Sequence, residues 1–272
     1  MASAQVTGTT VQRPHAGGGA GSRGRARDWA EIQERMLVPL YQAVHQRLEV
    51  GPATSLLGLG CRSGLALLLA AERGAQVAGL ESEAELRELA EGRRLRVSDA
   101  EGVDRPGRPV ARSAYSLVTV FEELAYVGEP ARLVAEAAAL TLQGGHVVLA
   151  GWGPPERCES AAVLDVARRR SGRIPACDPF ALSAPGALEE LCAGVGLRAA
   201  GSGRVSCPFA YPDLDSAVRG MLSTGLYEAA IEEWGPALVT KELEEALHPY
   251  VQRDASVRMA NVFRYVVAEQ PH

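Results

Sequence analysis

One stretch, from Ser55 to Ser82, restricts the fold more than any other part of the chain. It reads SLLGLGCRSGLALLLAAERGAQVAGLES. The apolar run Ser55–Gly60 ends in glycine, the signal of a buried strand. The segment from Gly64 to Arg73 is apolar nearly all round, as a fully buried helix must be, and Gly74 stops it. A second strand, from Gln76 to Glu81, closes on an acid. Gly60 and Gly64 carry no Cβ, so the backbone there can approach a ligand closely. The turn also feeds a helix N-terminus, where free N–H groups and the helix dipole favour a carboxylate or a phosphate. Glu81, at the tip of the second strand, is placed to accept both hydroxyls of a ribose. A dinucleotide site would use the same physics, so the pattern leaves the ligand open.

The alternation continues along the chain. A helix is expected over Glu83–Glu91, a short strand over Leu95–Ser98 and another over Tyr115–Phe121. A helix over Pro130–Leu142 and a strand over His146–Gly151 follow, the strand entered through Gly144 and Gly145. Repeated strand–helix units of this size predict a parallel sheet with helices on both faces and ligands at the carboxyl ends of its strands. Upstream, Met36, Leu37, Leu40, Val44 and Leu48 give the segment from Trp29 an apolar helical face. Downstream come a helix at Gly186–Ala193, a strand at Leu197–Cys207, helices between Leu214 and Tyr250 split by Gly235-Pro236, and a strand over Val262–Val267. Residues 1–28, ending in GGGAGSRGRARD, have too little apolar area to offset their ordering entropy and read as a disordered, solvated tail with Arg23, Arg25 and Arg27 in water. The organisation expected is therefore a tail, 1–28, and one domain, 29–272, with a helical insert at about 213–250 that is able to form a lid.

Several function classes are set aside by composition. A net charge of −5 gives no reason to expect nucleic acid as a partner. No run is apolar and long enough for a membrane span, and the start of the chain has no secretory h-region. The five cysteines are scattered and never arranged C-x-x-C, which fits reduced thiols, a cytoplasmic location and no metal site.

The stretch Ser55–Ser82 resembles the first two motifs of class I S-adenosylmethionine-dependent methyltransferases, near L-D-V-G-C-G-T-G and then G-x-D-x-S. The likeness continues through LRVSDAE at 95–101, YSLVTVFEEL at 115–124 and TLQGGHVVLAGWG at 141–153. It implies a Rossmann-like, doubly wound α/β sheet of seven strands with the last antiparallel, of the small-molecule type. It also implies S-adenosylmethionine as cofactor, held by Gly60, Cys61, Gly64, Glu81, Ser82, Asp99, Ala100, Glu101 and Phe121. Tyr41, Glu122 and Tyr126 are the candidates for a substrate pocket, and no residue is assigned as the catalytic base.

The chain departs from that pattern at three places. Gly58 stands where the family has an acid, Arg62 replaces the central glycine of the turn, and Ser116 replaces an acid in the fourth strand. If position 62 needs a positive φ, arginine there costs about 1–3 kcal/mol. Its side chain is expected to point to solvent; turned inward, it would lie across the cofactor's path. Cys61 reads as a small packing residue, Phe121 as core or cofactor wall, and His248 as structural. Tyr41 and His45, four apart, share a helix face on which packing is favoured over a pocket role. The leading expectation is methyl transfer to a small organic acceptor. The alternative is a homologue of the same fold that no longer methylates and instead cyclises, rearranges or senses a ligand. A nicotinamide site is a third reading, weakened by the absence of G-x-G-x-x-G spacing.

Overall fold

The computed structural model describes residues 20–99, 114–170 and 178–272. Its strands are β1 (Ser55–Leu59), β2 (Gln76–Leu80), β3 (Val97–Ser98), β4 (Tyr115–Val120), β5 (Thr141–Trp152), β6 (Arg198–Ser206), β7 (Phe209–Tyr211), β8 (Val257–Met259) and β9 (Val262–Glu269). Seven of them form one sheet in the order β3-β2-β1-β4-β5-β9-β6, while β7 and β8 pair apart. β1 to β5 run parallel, and β9 lies antiparallel between β5 and β6. This is the Rossmann-like mixed sheet that the resemblance implied. The chain builds outward from β1 in both directions, so the crevice for a ligand opens where β1 meets β4.

The central strands β1, β4, β5 and β9 bury both faces. Leu57, Leu59, Val118, Val120, Val147 and Leu149 meet Val134 and Ala137 of α5 (Pro130–Leu140) and Leu188 and Cys192 of α7 (Ala187–Gly194). Their alternate neighbours Leu56, Leu117, Val148 and Ala150 meet Leu40 and Val44 of α2 (Val38–Arg47) and Leu67 of α3 (Leu65–Glu72). Removing each such side chain from water contributes about 2 kcal/mol. α4 (Ala84–Gly92) connects β2 to β3, and α6 (Ala161–Arg170), which periodicity did not reveal, follows β5. The helices expected between Leu214 and Tyr250 are α8 (Leu214–Ser223), α9 (Glu228–Trp234) and α10 (Pro236–Leu247). No helix among the described residues is long and apolar enough to cross a membrane.

The tail expected over 1–28 is corrected at its end, because Ala20–Asp28 form a helix, α1. Residues 1–19 lie outside the described residues. The order of α1 comes from partners distant in sequence. The Ser22 hydroxyl donates to Glu85 at 2.5 Å, Arg25 pairs with Glu83 at 2.9 Å and with Glu228, and Ala26 is buried. After it come a π-helical turn, Trp29–Gln33, and a 3-10 turn, Glu34–Leu37.

The β7–β8 pair brackets the three late helices, and Asn261 locks its base. The Asn261 carbonyl side-chain oxygen accepts the Ser160 N–H at 3.1 Å, its amide donates to the Ser160 hydroxyl at 2.9 Å, and its backbone oxygen accepts the Cys207 N–H. Asn261→Ala strips two buried Ser160 groups of their partners and is expected to destabilise the fold by about 2 kcal/mol. Chemical denaturation reads this directly; a loss under about 0.5 kcal/mol, the usual scale for neutral surface changes, would refute the locking role.

Candidate functional site

At the end of β1 the backbone turns through Gly60 (φ 60°), Arg62 (φ 54°) and Gly64 (φ 82°) into α3. All three are left-handed, so the condition on position 62 is met and an arginine there is strained by about 1–3 kcal/mol. Glu81 offsets that strain. It is fully buried at the tip of β2, and its carboxylate accepts the Arg62 backbone N–H at 2.8 Å and the Glu83 N–H at 3.0 Å. Two backbone amides on one carboxylate hold the turn against the second strand.

The Arg62 side chain does not reach solvent, contrary to the expectation; the residue is 5% exposed. Its guanidinium lies over the Tyr126 ring at 4.4 Å and the Trp29 ring at 5.1 Å, and pairs with Glu83 at 3.2 Å. Burial disfavours its charge, but Tyr126, Glu123, Glu81 and Glu83 more than offset this, so its pKa is raised and the cation persists. Glu123 also covers Gly60: a Cβ built there would stand 2.8 Å from that of Glu123.

The N-terminus of α3, which the sequence marked for an anion, receives one from the chain itself. Glu34 is 1% exposed; its carboxylate accepts the Ser63 hydroxyl and the Leu65 N–H at 3.3 Å, and pairs with Arg93 at 3.1 Å. Desolvation nonetheless raises its pKa, against the lowering by Ser63 and Arg93.

Residues 24–184 match the family model described as a methyltransferase domain. The chain belongs to the methyltransferase-domain family. No curated protein matches it. Among solved structures, the YcgJ protein from Bacillus subtilis has a TM-score of 0.55 at 13% identity, over 85% of this chain and 98% of that one. The [4+2]-cyclase SpnF has a TM-score of 0.53 at 16% identity, over 85% and 80%. Geranyl diphosphate C-methyltransferase from Streptomyces coelicolor A3(2), in complex with Mg2+, geranyl diphosphate and S-adenosyl-L-homocysteine, has a TM-score of 0.51 at 16% identity, over 96% and 90%. At these identities the likeness is one of fold.

The family's cofactor motifs thus sit on an altered surface. Gly60 and Glu81 stand together at the crevice, and Ser82 adjoins them with its hydroxyl 3.5 Å from the Glu81 carboxylate. Gly64 faces inward instead, since a Cβ there would strike Leu95 and Ala90; its absence lets α3 lie close to α4. Cys61 folds its thiol back toward Gly79, and burial, with Glu81 and Glu34 adding to it, pushes the thiol pKa far up. Asp99 is exposed beyond β3, 3.6 Å from Arg87. Ala100 and Glu101 lie outside the described residues. Ser116 is a correction: it sits near the start of β4, at the opposite end from the crevice, exchanging hydrogen bonds with Ser55 at 2.9 and 3.0 Å. It stitches two strands and says nothing about cofactor affinity. At Gly58 a Cβ would stand 3.1 Å from that of Cys61 and 3.2 Å from Leu67, so an acid there would require repacking.

Phe121 is buried against Tyr41 at 4.9 Å and His45 at 6.5 Å, which makes the Tyr41 face part of the core. Beyond the ends of β4 and β5, Phe121, Glu122, Tyr126, Trp152, Leu226 and Phe263 line a narrow cleft. A wider one of about 270 Å³ adjoins it past Asp178, Pro179 and Leu226, against α6. Trp152 is the aromatic hub of the narrow cleft, 4.5 Å from Phe263 and 5.6 Å from Phe180. Sequence reasoning brought Glu122 and Tyr126 here but missed Trp29, Glu34, Glu123 and Trp152. Of these, Trp152, the last residue of β5, stood at a strand end to which the fold points.

For the implied cofactor, the two ends of the site differ. At the ribose end stands the Glu81 carboxylate, which accepts the Arg62 and Glu83 N–H groups and the Ser82 hydroxyl. The amino-acid end of the ligand would need the space before Gly60 that Glu123 fills, beside the buried Arg62.

Proposed function

We propose that this chain is an S-adenosylmethionine-dependent methyltransferase acting on a small organic acceptor. The observation that carries the reading is Glu81, buried at the tip of β2 and bonded to a left-handed turn at the sheet's crevice. Family membership and the fold shared with an S-adenosylhomocysteine-bound methyltransferase support it. When bound, the cofactor supplies a methyl group on a positively charged sulfur. The chain's part is to exclude water and to align the acceptor, which the aromatic cleft beyond β4 and β5 is shaped to do. Glu122 and Tyr126 line that cleft and are the polar groups we assign to the acceptor.

Isothermal titration with S-adenosylhomocysteine tests the reading. Wild type is expected to bind, and Glu81→Gln, which keeps the shape and one acceptor, to bind at least tenfold more weakly, as loss of a charge-assisted hydrogen bond implies. An equal affinity for Glu81→Gln would remove the residue from the site. Transfer of a labelled methyl group to a panel of small acceptors is the second measurement. Binding without transfer would favour the second reading, a homologue that cyclises, rearranges or senses its ligand. One observation favours that reading, the burial of Arg62 in the turn; SpnF, with the same fold, is a cyclase.

A further inference from the structure

The glycine turn of this chain is built around an occupant of its own. Arg62 projects from the turn into a slot between Trp29 and Tyr126, and Glu123 lies over the Cα of Gly60. Yet the closed arrangement is not fully satisfied. Arg62 Nε and Nη2 and the indole N–H of Trp29 are buried without a hydrogen-bond partner. Buried donors left unpaired oppose the state that buries them, so stacking on the two rings and the Glu83 pair work against a standing cost. The wall of the slot is a separate piece of chain. Trp29 belongs to the N-terminal segment, and Arg25 on α1 shares Glu83 with Arg62.

We propose that Arg62 is a gate on the cofactor cleft: its guanidinium, held between Trp29 and Tyr126 beside the turn, must leave that slot before an adenosyl amino acid can bind. This rests on the cofactor reading given above. The gate works as a two-state element. Closed, it holds three unpaired donors; open, it returns the Arg62 donors to water and exposes the turn. A ligand that binds only the open state has its apparent affinity reduced by the fraction of molecules that are open. Glu83 is the latch, since it pairs with both Arg62 and Arg25 of α1.

The test measures S-adenosylhomocysteine affinity and association rate for wild type, Arg62→Gly and Arg62→Asn. Glycine and asparagine both suit a left-handed φ, so these variants relieve backbone strain, and thermal unfolding of each establishes that it is folded before its affinity is read. The expected result is at least tenfold tighter binding and faster association for both variants, with Glu83→Gln between them and wild type. Binding by the variants alone would mean a gate shut in the wild type, and supports the proposal. Binding by wild type that the variants leave unchanged or weaken overturns the gate and leaves the cofactor reading standing. If neither wild type nor variants bind at millimolar ligand, the cofactor reading fails and the gate with it. A shift in melting temperature with no change in affinity would assign Arg62 a structural role only.

Discussion

Glu34→Ala is expected to cost about 3 kcal/mol of folding stability, seen as a fall in Tm of roughly 8 °C. The carboxylate is 1% exposed and serves three partners at once: the Ser63 hydroxyl, the Leu65 N–H and the Arg93 guanidinium. Removing it leaves a half-buried cation without its counter-charge and a helix N-terminus without its anion. Arg93 then keeps only its bond to the Ser63 carbonyl, at 2.8 Å. Glu34→Gln separates the two effects. Its amide oxygen can still accept the Leu65 N–H, and it brings no charge to a site where desolvation already raises the carboxyl pKa. A loss of only about 1 kcal/mol is expected for it. Denaturant titration of the two variants decides the matter. Equal losses would mean that the charge itself holds α3, and a negligible loss for Glu34→Ala would mean that the turn holds itself.

Glu34 also shows what could not be read from the sequence. The sheet was legible because its strands are apolar runs stopped by glycine, and burial on both faces leaves that signature. The acid at Glu81 was legible because it falls at a fixed place in a strand–turn–helix–strand unit. Glu34 stands 29 residues before Ser63 in an otherwise ordinary helical segment, and only the tertiary fold brings it to the turn. The same holds for Trp29 and Glu123. The strain at Arg62 was foreseeable from the glycine it replaces, but not the direction of its side chain, which depends on those two residues. Gly-, Ser- and Arg-rich composition hid α1, because its order comes from Glu83, Glu85 and Glu228 rather than from any apolar face of its own. The lesson of Ser116 runs the other way. Ser116 stands where the resembled family has an acid in its fourth strand, and its hydrogen bonds to Ser55 put it at the other end of the sheet.

The second large effect lies in the dependence of stability on pH. His45 is fully buried on α2, with both ring nitrogens unpaired and its edge toward Phe121. Burial first, and the positive charge of Arg73 second, lower its pKa from 6.5 to about 4. Above pH 6.5 the imidazole is neutral in the folded and unfolded chain alike, and its ionisation has no effect on stability. Between pH 6.5 and 4 the unfolded chain takes up a proton that the folded chain refuses, so stability falls as pH falls. Integrated from pH 7.5 to 4.5, this amounts to about 2.5 kcal/mol. His45→Leu removes the group while preserving an apolar fill, so the difference in stability between variant and wild type should widen by that amount over the same range. Taking a difference cancels the carboxylates common to both, including Glu34, whose raised pKa acts in the opposite sense. Denaturant unfolding at pH 7.5, 6.0 and 4.5 supplies the numbers, and the imidazole resonance of His45 supplies its pKa independently. A His45 that titrates near 6.5 in the folded protein would defeat the prediction, because a neutral ring is then no condition of the Tyr41–Phe121 packing.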